Sequence, residues 1–259
     1  MKNTRLVYTV ILGNYDTLKE VKHSSKNIDY ICITDNKNIT SKTWKVITID
    51  DCENFTLENR RYKFLPFLYF DYEESIYVDG NISITGDMTF IFDKYLKQHD
   101  IAIPKHPFRN CIYDEAHYCI KIKKTTTDEI ENQLNYYHHI GFPKNYGLFE
   151  NNVIVRKHTP AIIKMMHEWW DIFQLYSKRD QLSLCFLLWK NNHLCLNLIE
   201  GPRYSNKYFS FNLHSHEDKL SLVKKIFLIS SIRCKQNIFY FTINKLRKFC
   251  VRKKNEHYR

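Results

Sequence analysis

Short apolar runs alternate with amphipathic stretches over the first hundred residues of the chain. The apolar runs predict β-strands at Leu6–Leu12, Tyr30–Thr34, Trp44–Ile49, Ser75–Val78 and Ile101–Ile103. The amphipathic stretches predict helices at Leu57–Phe70 and Met88–Lys97, and Pro66 should kink or break the first of them. Alternating strands and helices indicate an α/β fold, with a mainly parallel central sheet flanked by helices.

The second half of the chain has a more mixed pattern. Its periodicity predicts a short strand at Val153–Val155 and helices at Thr127–His139, Pro160–Tyr176 and Gln181–Lys190. Thr127 is a candidate N-cap for the first of these helices. Because no repeat or obvious linker interrupts the chain before residue 218, we predict one α/β domain over residues 1–218 and a tail over residues 219–259.

Acidic side chains stand at or just past three predicted strand ends, as Asp35, Asp51 and Asp79. Ligands of parallel α/β sheets bind at the carboxyl ends of the strands, so these residues should gather on one rim. Asp79-Gly80-Asn81 directly follows a buried strand, and two oxygen-bearing side chains at this spacing can hold a divalent cation. A simple turn explains the same tripeptide, and both interpretations stay open.

The net charge of +11 is confined to one part of the chain. Residues 219–259 contain 12 Lys and Arg and a single acid, which leaves 27 basic and 27 acidic residues elsewhere. This distribution is unlike a nucleic-acid-binding domain, so no nucleic-acid partner is expected. In the tail Phe239, Ile243, Leu246 and Cys250 follow helical spacing among basic residues, which predicts an amphipathic helix on an anionic membrane surface. The alternative is a helical pair packed on the domain.

Glycine and cysteine usage excludes several kinds of site. The six glycines form neither a dinucleotide-binding fingerprint nor a P-loop. The eight cysteines have no CxxC or zinc-type spacing, which indicates core thiols in a reducing compartment. Leu6–Leu12 is too short for a signal peptide, and no apolar run is long enough to span a bilayer. We therefore expect a cytoplasmic protein, bound peripherally to the inner face of the cell membrane.

Six segments follow one another in a recognisable order: Val7–Asp16, Tyr30–Asp35, Arg61–Pro66, Tyr77–Asn81, Asn151–Val155 and Arg179–Ser183. This order resembles the GT-A glycosyltransferases, in particular bacterial glycosyltransferase-like proteins related to plant mucilage-type transferases and, more distantly, family 8 galactosyltransferases. The resemblance spans about residues 6–215 and implies a GT-A-like domain that uses a nucleotide-sugar donor. It also implies a donor site made by Leu12, Gly13, Asn14, Tyr15, Asp35, Arg61, Lys63 and Asp79.

The resemblance further implies a metal site and a catalytic pair. Asp79 and Asn81 would take the Asp-x-Asp position, and His214 and His216 are the two candidates to complete the metal shell. Imidazole suits Mn²⁺, with Mg²⁺ as the alternative. Asp180 and Gln181 are the catalytic candidates, as a base in an inverting enzyme or as groups that stabilise positive charge in a retaining one. Asp180 could instead cap the helix that follows it.

A polar segment after the fifth strand and the Asn-Asn pair before Val153 are the candidates for contacts with the donor sugar or the acceptor. These residues are Lys105, His106, Arg109, Asn151 and Asn152. The sequence thus predicts an enzyme that moves a sugar, with help from a metal, from a UDP-sugar to a glycan or glycolipid acceptor. The Lys, Asn and Ile bias fits a bacterial surface-polysaccharide locus. A nucleotidyltransferase and a non-catalytic membrane-associated scaffold are the alternatives.

Overall fold

The computed structural model describes residues 3–50 and 52–256, so the predicted strand-end residue Asp51 lies outside the described part. The strands are β1 (Arg5–Ile11), β2 (Ile28–Thr34), β3 (Lys45–Thr48), β4 (Glu74–Val78), β5 (Ile82–Ile84), β6 (Ile101–Pro104), β7 (Val153–Lys157), β8 (Leu196–Ile199) and β9 (Phe209–Phe211). The helices are α1 (Phe55–Phe64), α2 (Met88–Leu96), α3 (Ile112–Lys121), α4 (Thr127–His139), α5 (Pro160–Leu175), α6 (Gln181–Lys190), α7 (Leu222–Arg233) and α8 (Ile238–Glu256).

Seven strands form the central sheet in the order β3-β2-β1-β4-β7-β6-β8. The neighbours β3, β2, β1 and β4 pair in parallel, and so do β6 and β8. β7 runs antiparallel to both of its neighbours, β4 and β6. The amino end of β7 therefore lies on the same rim as the carboxyl ends of the parallel strands, and the residues just before Val153 reach that rim.

A second, two-stranded sheet is formed by β5 and β9, which pair antiparallel with Ile82 opposite Phe211. The pairing continues past the strands, because the backbone N–H of Asn212 donates to the carbonyl of Asn81 at 3.0 Å. The segment that follows β9 is thereby held beside the loop that follows β4.

Buried side chains cover both faces of the central sheet. Along β1, Leu6 and Tyr8 face the layer formed by α1, α3, α4, α5 and α6, whereas Val7 and Ile11 face α2 and the small sheet. This alternation is the period-two pattern of a strand buried on both faces. The predicted α/β class with a mainly parallel sheet is therefore confirmed, and four of the cysteines are buried in this core as expected: Cys32, Cys111, Cys119 and Cys185.

Local predictions were accurate for most elements and wrong for two details. Pro66 does end α1, and a short 3₁₀ turn replaces its continuation. Thr126, not Thr127, is the N-cap of α4, where its hydroxyl and the side chain of Glu129 form a reciprocal capping box. Residues 112–121, for which no helix was predicted, form α3 because their apolar positions recur at helical spacing.

The last two helices pack against each other, and α7 also contacts the 3₁₀ turn at Pro202–Tyr204. Ile232 of α7 is buried, but several large apolar side chains of this pair are exposed, among them Leu222, Ile238, Phe239 and Leu246. The side chain of Cys250 lies outside the described part. Within the described residues, no helix has the length and hydropathy needed to cross a bilayer.

Candidate active site

A cavity of about 590 Å³ opens at the rim where the parallel strands end. Ten residues proposed from the sequence line it: Leu12, Tyr15, Lys63, Asp79, Asn81, Asn151, Asn152, Asp180, Gln181 and His214. They come from segments far apart in the chain, and the fold brings them together at the carboxyl ends of β1 and β4. A cavity of this size lies within the usual range for a small-molecule ligand.

A buried ion cluster forms the floor of the cavity. The ammonium of Lys63, only 1% exposed, lies 2.9 Å from Oδ2 of Asp180 and 3.4 Å from Oδ1 of Asp79. The guanidinium of Arg60, one helical turn before Lys63, lies 3.3 Å from the same Asp180 oxygen. The hydroxyl of Tyr77 donates to Asp79 at 2.8 Å. These contacts fix both carboxylates before any ligand arrives.

The charge state of Asp180 follows from this cluster. Burial alone would raise the pKa of its carboxyl, but the charges of Lys63, Arg60 and Arg179 outweigh that effect and hold the pKa well below its ordinary value. The carboxylate therefore stays ionised at neutral pH. Although Asp180 directly precedes α6, its side chain makes no capping hydrogen bond, so the alternative capping role is not seen.

A tight turn brings Asp79 and Asn81 close to the first strand. A Cβ at Gly80 would lie 3.0 Å from the Cβ of Asp16 and 3.0 Å from Cγ1 of Ile11, so the backbone approaches more closely than a larger residue would allow. Asn81 is buried, and its Nδ2 donates to the carbonyl of Asn212 at 3.1 Å. The β5–β9 pairing thus fixes the carboxamide of Asn81.

The same pairing places His214 beside Asn81, with 3.4 Å between the imidazole Nε2 and the carboxamide Nδ2. The other ring nitrogen, Nδ1, is 3.0 Å from the carboxylate of Asp16. Burial lowers the pKa of His214, but the hydrogen bond to Asp16 and the nearby acids outweigh this and raise it. A carboxylate at Nδ1 leaves Nε2 as the ligating nitrogen, which is the usual arrangement around a metal-bound histidine.

The donor set is suited to a divalent cation only in part. Among the described residues, no three His, Cys, Asp or Glu side chains gather closely enough to hold a metal by themselves. Asp79, the carboxamide of Asn81 and Nε2 of His214 supply two oxygens and one nitrogen, a mixed set compatible with Mn²⁺. A metal at this point would need further oxygen ligands from outside the protein, such as those of a diphosphate.

Two exposed aromatic rings, those of Tyr15 and Phe55, also line the cavity. Tyr15 is 57% exposed, and its ring meets that of His214 edge-on at 5.1 Å. Phe55, at the start of α1, is also exposed and lines the cavity. Gly13 has a positive φ and lies against Phe55, and its backbone N–H donates to the carboxylate of Asp35 at 3.1 Å.

The turn before β7 supplies the polar wall. Asn151 is 3% exposed, and neither atom of its carboxamide has a hydrogen-bond partner within the protein. Oδ1 of Asn152 is in the same state. Burial raises the pKa of neighbouring Glu150 to about 7, against the opposing effects of Arg203 and Asn152. Unsatisfied buried polar atoms are rare in proteins, and in a cavity they point to hydrogen bonds completed by a ligand or water.

Eight residues proposed from the sequence do not line the cavity: Gly13, Asn14, Asp35, Arg61, Lys105, His106, Arg109 and His216. Gly13, Asn14 and Asp35 shape the loop behind Tyr15, where Asn14 accepts a hydrogen bond from Asn36. His216 is exposed and stacks on His214.

Arg61 points away from the cavity and lies 3.9 Å from Glu58. The polar segment after β6 is occupied by its own contacts: Nδ1 of His106 accepts two backbone N–H groups, and Arg109 is paired with Glu115 of α3. Lys105 is exposed and pairs through its backbone with Phe149.

Comparison with known proteins identifies the family. The model of the TOD1/MUCI70 glycosyltransferase-like domain matches residues 1–225. The chain belongs to this TOD1/MUCI70 family. The family confirms the glycosyltransferase class and the GT-A-like fold, and it favours them over the nucleotidyltransferase and scaffold alternatives.

Two solved structures resemble this TOD1/MUCI70 domain. The apo structure of the bifunctional glycosyltransferase WbbM is 14% identical with a TM-score of 0.47, and the alignment covers 79% of this chain and 40% of WbbM. The apo crystal structure of mouse xyloside xylosyltransferase 1 is 10% identical with a TM-score of 0.43, and the alignment covers 75% of this chain and 84% of the mouse chain. No curated protein matches the chain in sequence.

Several residues that line the cavity of the TOD1/MUCI70 domain were missed from the sequence, among them Asp16, Arg60 and Glu150. Arg60 could have been found, because residues three apart lie on the same helix face and Lys63 was already a candidate. Arg61 does not share that face. Asp16 and Glu150 gave no comparable signal, since their partners are close in space and distant in sequence.

Proposed function

We propose that this glycosyltransferase transfers a sugar from a UDP-sugar to a glycan or lipid-linked acceptor, with help from a divalent cation, Mn²⁺ or Mg²⁺. The observation that carries the proposal is a single cavity that joins the Asn81–His214–Asp16 contact to the buried Lys63–Asp180–Asp79 cluster. A departing nucleoside diphosphate needs positive charge next to its phosphates, and the cation would supply it as a Lewis acid.

Each group of cavity residues has its own role in this proposal. The exposed rings of Tyr15 and Phe55 are suited to stacking on the nucleobase. Asp79, Asn81 and His214 would hold the cation, and Asp16 would fix the tautomer of the imidazole. The carboxylate of Asp180 stays ionised and would face positive charge that develops on the donor sugar. The carboxamides of Asn151 and Asn152 would bind sugar hydroxyls.

The melting temperature with UDP, GDP and CMP, each with and without Mn²⁺, tests the donor and the metal together. A ligand at 100 times its Kd stabilises a protein by about 2.7 kcal/mol. We expect a Mn²⁺-dependent rise with UDP, which Asp79→Ala abolishes. Glu131→Gln, an exposed change on α4, is the control and should keep the rise. The absence of any nucleotide-dependent rise in the wild-type protein would refute the proposal.

The tail is proposed to dock on an anionic membrane, with the catalytic domain on the cytoplasmic side. Two features support this: 12 basic residues against one acid in residues 219–259, and exposed apolar side chains on α7 and α8, including Leu222 (72%), Ile238 (77%) and Phe239 (63%). Apolar insertion and cationic attraction to anionic lipid reinforce each other. A bacterial source with a surface-polysaccharide acceptor is part of the same proposal.

Co-sedimentation with vesicles tests this docking. The protein should pellet with vesicles that contain phosphatidylglycerol and should stay in solution with pure phosphatidylcholine. Phe239→Ser combined with Leu246→Ser should weaken the binding, whereas Leu175→Ser should not, because Leu175 is even more exposed but lies on α5. Equal binding to both vesicle types, or no effect of the tail variant, would count against a lipid-binding tail.

A further inference from the structure

Three cations line the cavity from three separate segments. Lys124 lies between α3 and α4, Arg179 lies between α5 and α6, and Arg203 lies in the 3₁₀ turn before β9. Burial lowers the pKa of Lys124, and the charges of Arg179 and Arg203, which line the same cavity, lower it further. Like charges held this close repel, so the arrangement costs stability unless something compensates.

The cations on the cavity floor each lie within ion-pair distance of a carboxylate, and in the described part of the chain these three do not. Lys63 and Arg60 lie beside the carboxylates of Asp180 and Asp79. Within the described residues, no salt bridge at 4.0 Å or less is formed by Lys124, Arg179 or Arg203. A nearby carboxyl, that of Glu150, has a pKa raised to about 7 by burial, so it is only partly ionised at neutral pH.

The hydrogen-bonding state of the site also indicates a missing partner. Nε of Arg179 is buried without a hydrogen-bond partner, and its Nη2 donates to Gln181 at 3.2 Å. The guanidinium of Arg203 lies over the ring of Phe211, with its Cζ 5.0 Å from the ring centroid. Asn151, 3% exposed, has both carboxamide atoms unpartnered and lines the same cavity.

We propose that Lys124, Arg179 and Arg203 form a binding site for an anionic group of the acceptor, either a phosphate or a sugar carboxylate. Guanidinium groups match the geometry of both, and charge-assisted hydrogen bonds to such oxygens are the strong ones. This inference rests on the proposed function, which assigns the diphosphate of the donor to the cation site at Asp79, Asn81 and His214. The acceptor of this enzyme is therefore an acidic glycan or a phosphate-linked lipid carrier.

Calorimetric titration of the full chain tests the site without knowledge of the acceptor. The probes are methyl phosphate and methyl glucuronide, each titrated with and without saturating UDP and Mg²⁺. We expect binding in the presence of UDP, and the preferred probe distinguishes the phosphate from the carboxylate. Arg179→Gln and Arg203→Gln should each weaken binding about tenfold, as expected for one charge-assisted hydrogen bond. Lys190→Gln, which removes an exposed cation paired with Glu168, should not change it.

The results separate this inference from the proposed function. If UDP binds but neither probe binds, or if both probes bind the arginine variants as well as the wild type, the anion site is refuted and the transferase stands. If UDP displaces the probes, the three cations belong to the donor site and the inference fails. If UDP does not bind, the proposed donor fails, and the wild-type and variant titrations without UDP still decide the anion site. Because Arg179→Gln and Arg203→Gln are tested separately, the test stands even if one of them fails to fold. Melting curves show whether each variant is folded.

Discussion

The buried cluster around Asp180 makes a quantitative prediction about stability. Asp180→Asn keeps the shape of the side chain but removes the charge that faces Lys63 at 2.9 Å and Arg60 at 3.3 Å. Removing one partner of a buried ion pair costs about 3–5 kcal/mol, because the other charge is left without compensation. Asp79 remains 3.4 Å from Lys63, so the lower end, about 3 kcal/mol, is expected.

Urea denaturation of the wild type and the variant measures this loss. For a chain of this size the loss corresponds to a melting temperature lower by roughly 6–12 °C. Glu168→Gln is the matched control, because its partner Lys190 is 52% exposed and such a surface pair is worth at most about 1 kcal/mol. A double variant with Lys63→Met should recover part of the loss, since it removes the uncompensated ammonium.

The pH dependence provides a second check with a definite sign. The pKa of Asp180 is depressed in the folded protein, so its contribution is present above the unfolded-state value of about 3.9 and is lost as the pH falls toward the folded-state pKa. The difference between the wild type and Asp180→Asn should therefore shrink below about pH 4. A loss no larger than that of Glu168→Gln at pH 7 would refute the reasoning.

Three further outcomes are expected. Asp16→Asn removes the acceptor for Nδ1 of His214 and should weaken Mn²⁺ binding by about 10–100-fold, measured by metal titration in the presence of UDP. Gly80→Ala places a methyl group 3.0 Å from Asp16 and should lower transferase activity while α-helix content by circular dichroism is unchanged. Burial raises the pKa of Glu150 to about 7, so the folded protein favours the protonated carboxyl and loses stability as the pH rises from about 4.3 to 7. In urea denaturation, Glu150→Gln should therefore be more stable than the wild type at pH 8 and equal to it near pH 4.

Local spacing predicted the elements whose residues lie close in sequence. The helix at Gln181–Lys190 and the break at Pro66 were both correct, because periodicity and the missing proline N–H act within a few residues. α3 was not predicted, although its apolar spacing is that of a helix. Ile112, Ala116 and Cys119 recur at helical intervals and are all buried.

Long-range pairing could not be predicted from spacing. The direction of β7 depends on whether the chain between β6 and β7 returns to the rim that it left or crosses to the opposite rim. No local pattern in the sequence distinguishes these two connections. The pairing of β5 with β9 brings His214, and not His216, to Asn81. Family resemblance had named both histidines, and only the register distinguishes them.

The reversed β7 has a consequence for how the specificity of this enzyme can change. Because β6 ends and β7 begins on the same rim, the chain between Pro104 and Val153 leaves and re-enters the sheet at one place, where Lys105 pairs with Phe149. That segment carries α3, α4 and Lys124. A different segment with the same two ends could replace it without altering the order of the strands. A replacement must keep the buried apolar positions of the two helices, such as Ile112 and Tyr137. Under the proposed function, the acceptor contact at Lys124 could therefore change without any change at the ends of β1 and β4, where the donor is proposed to bind.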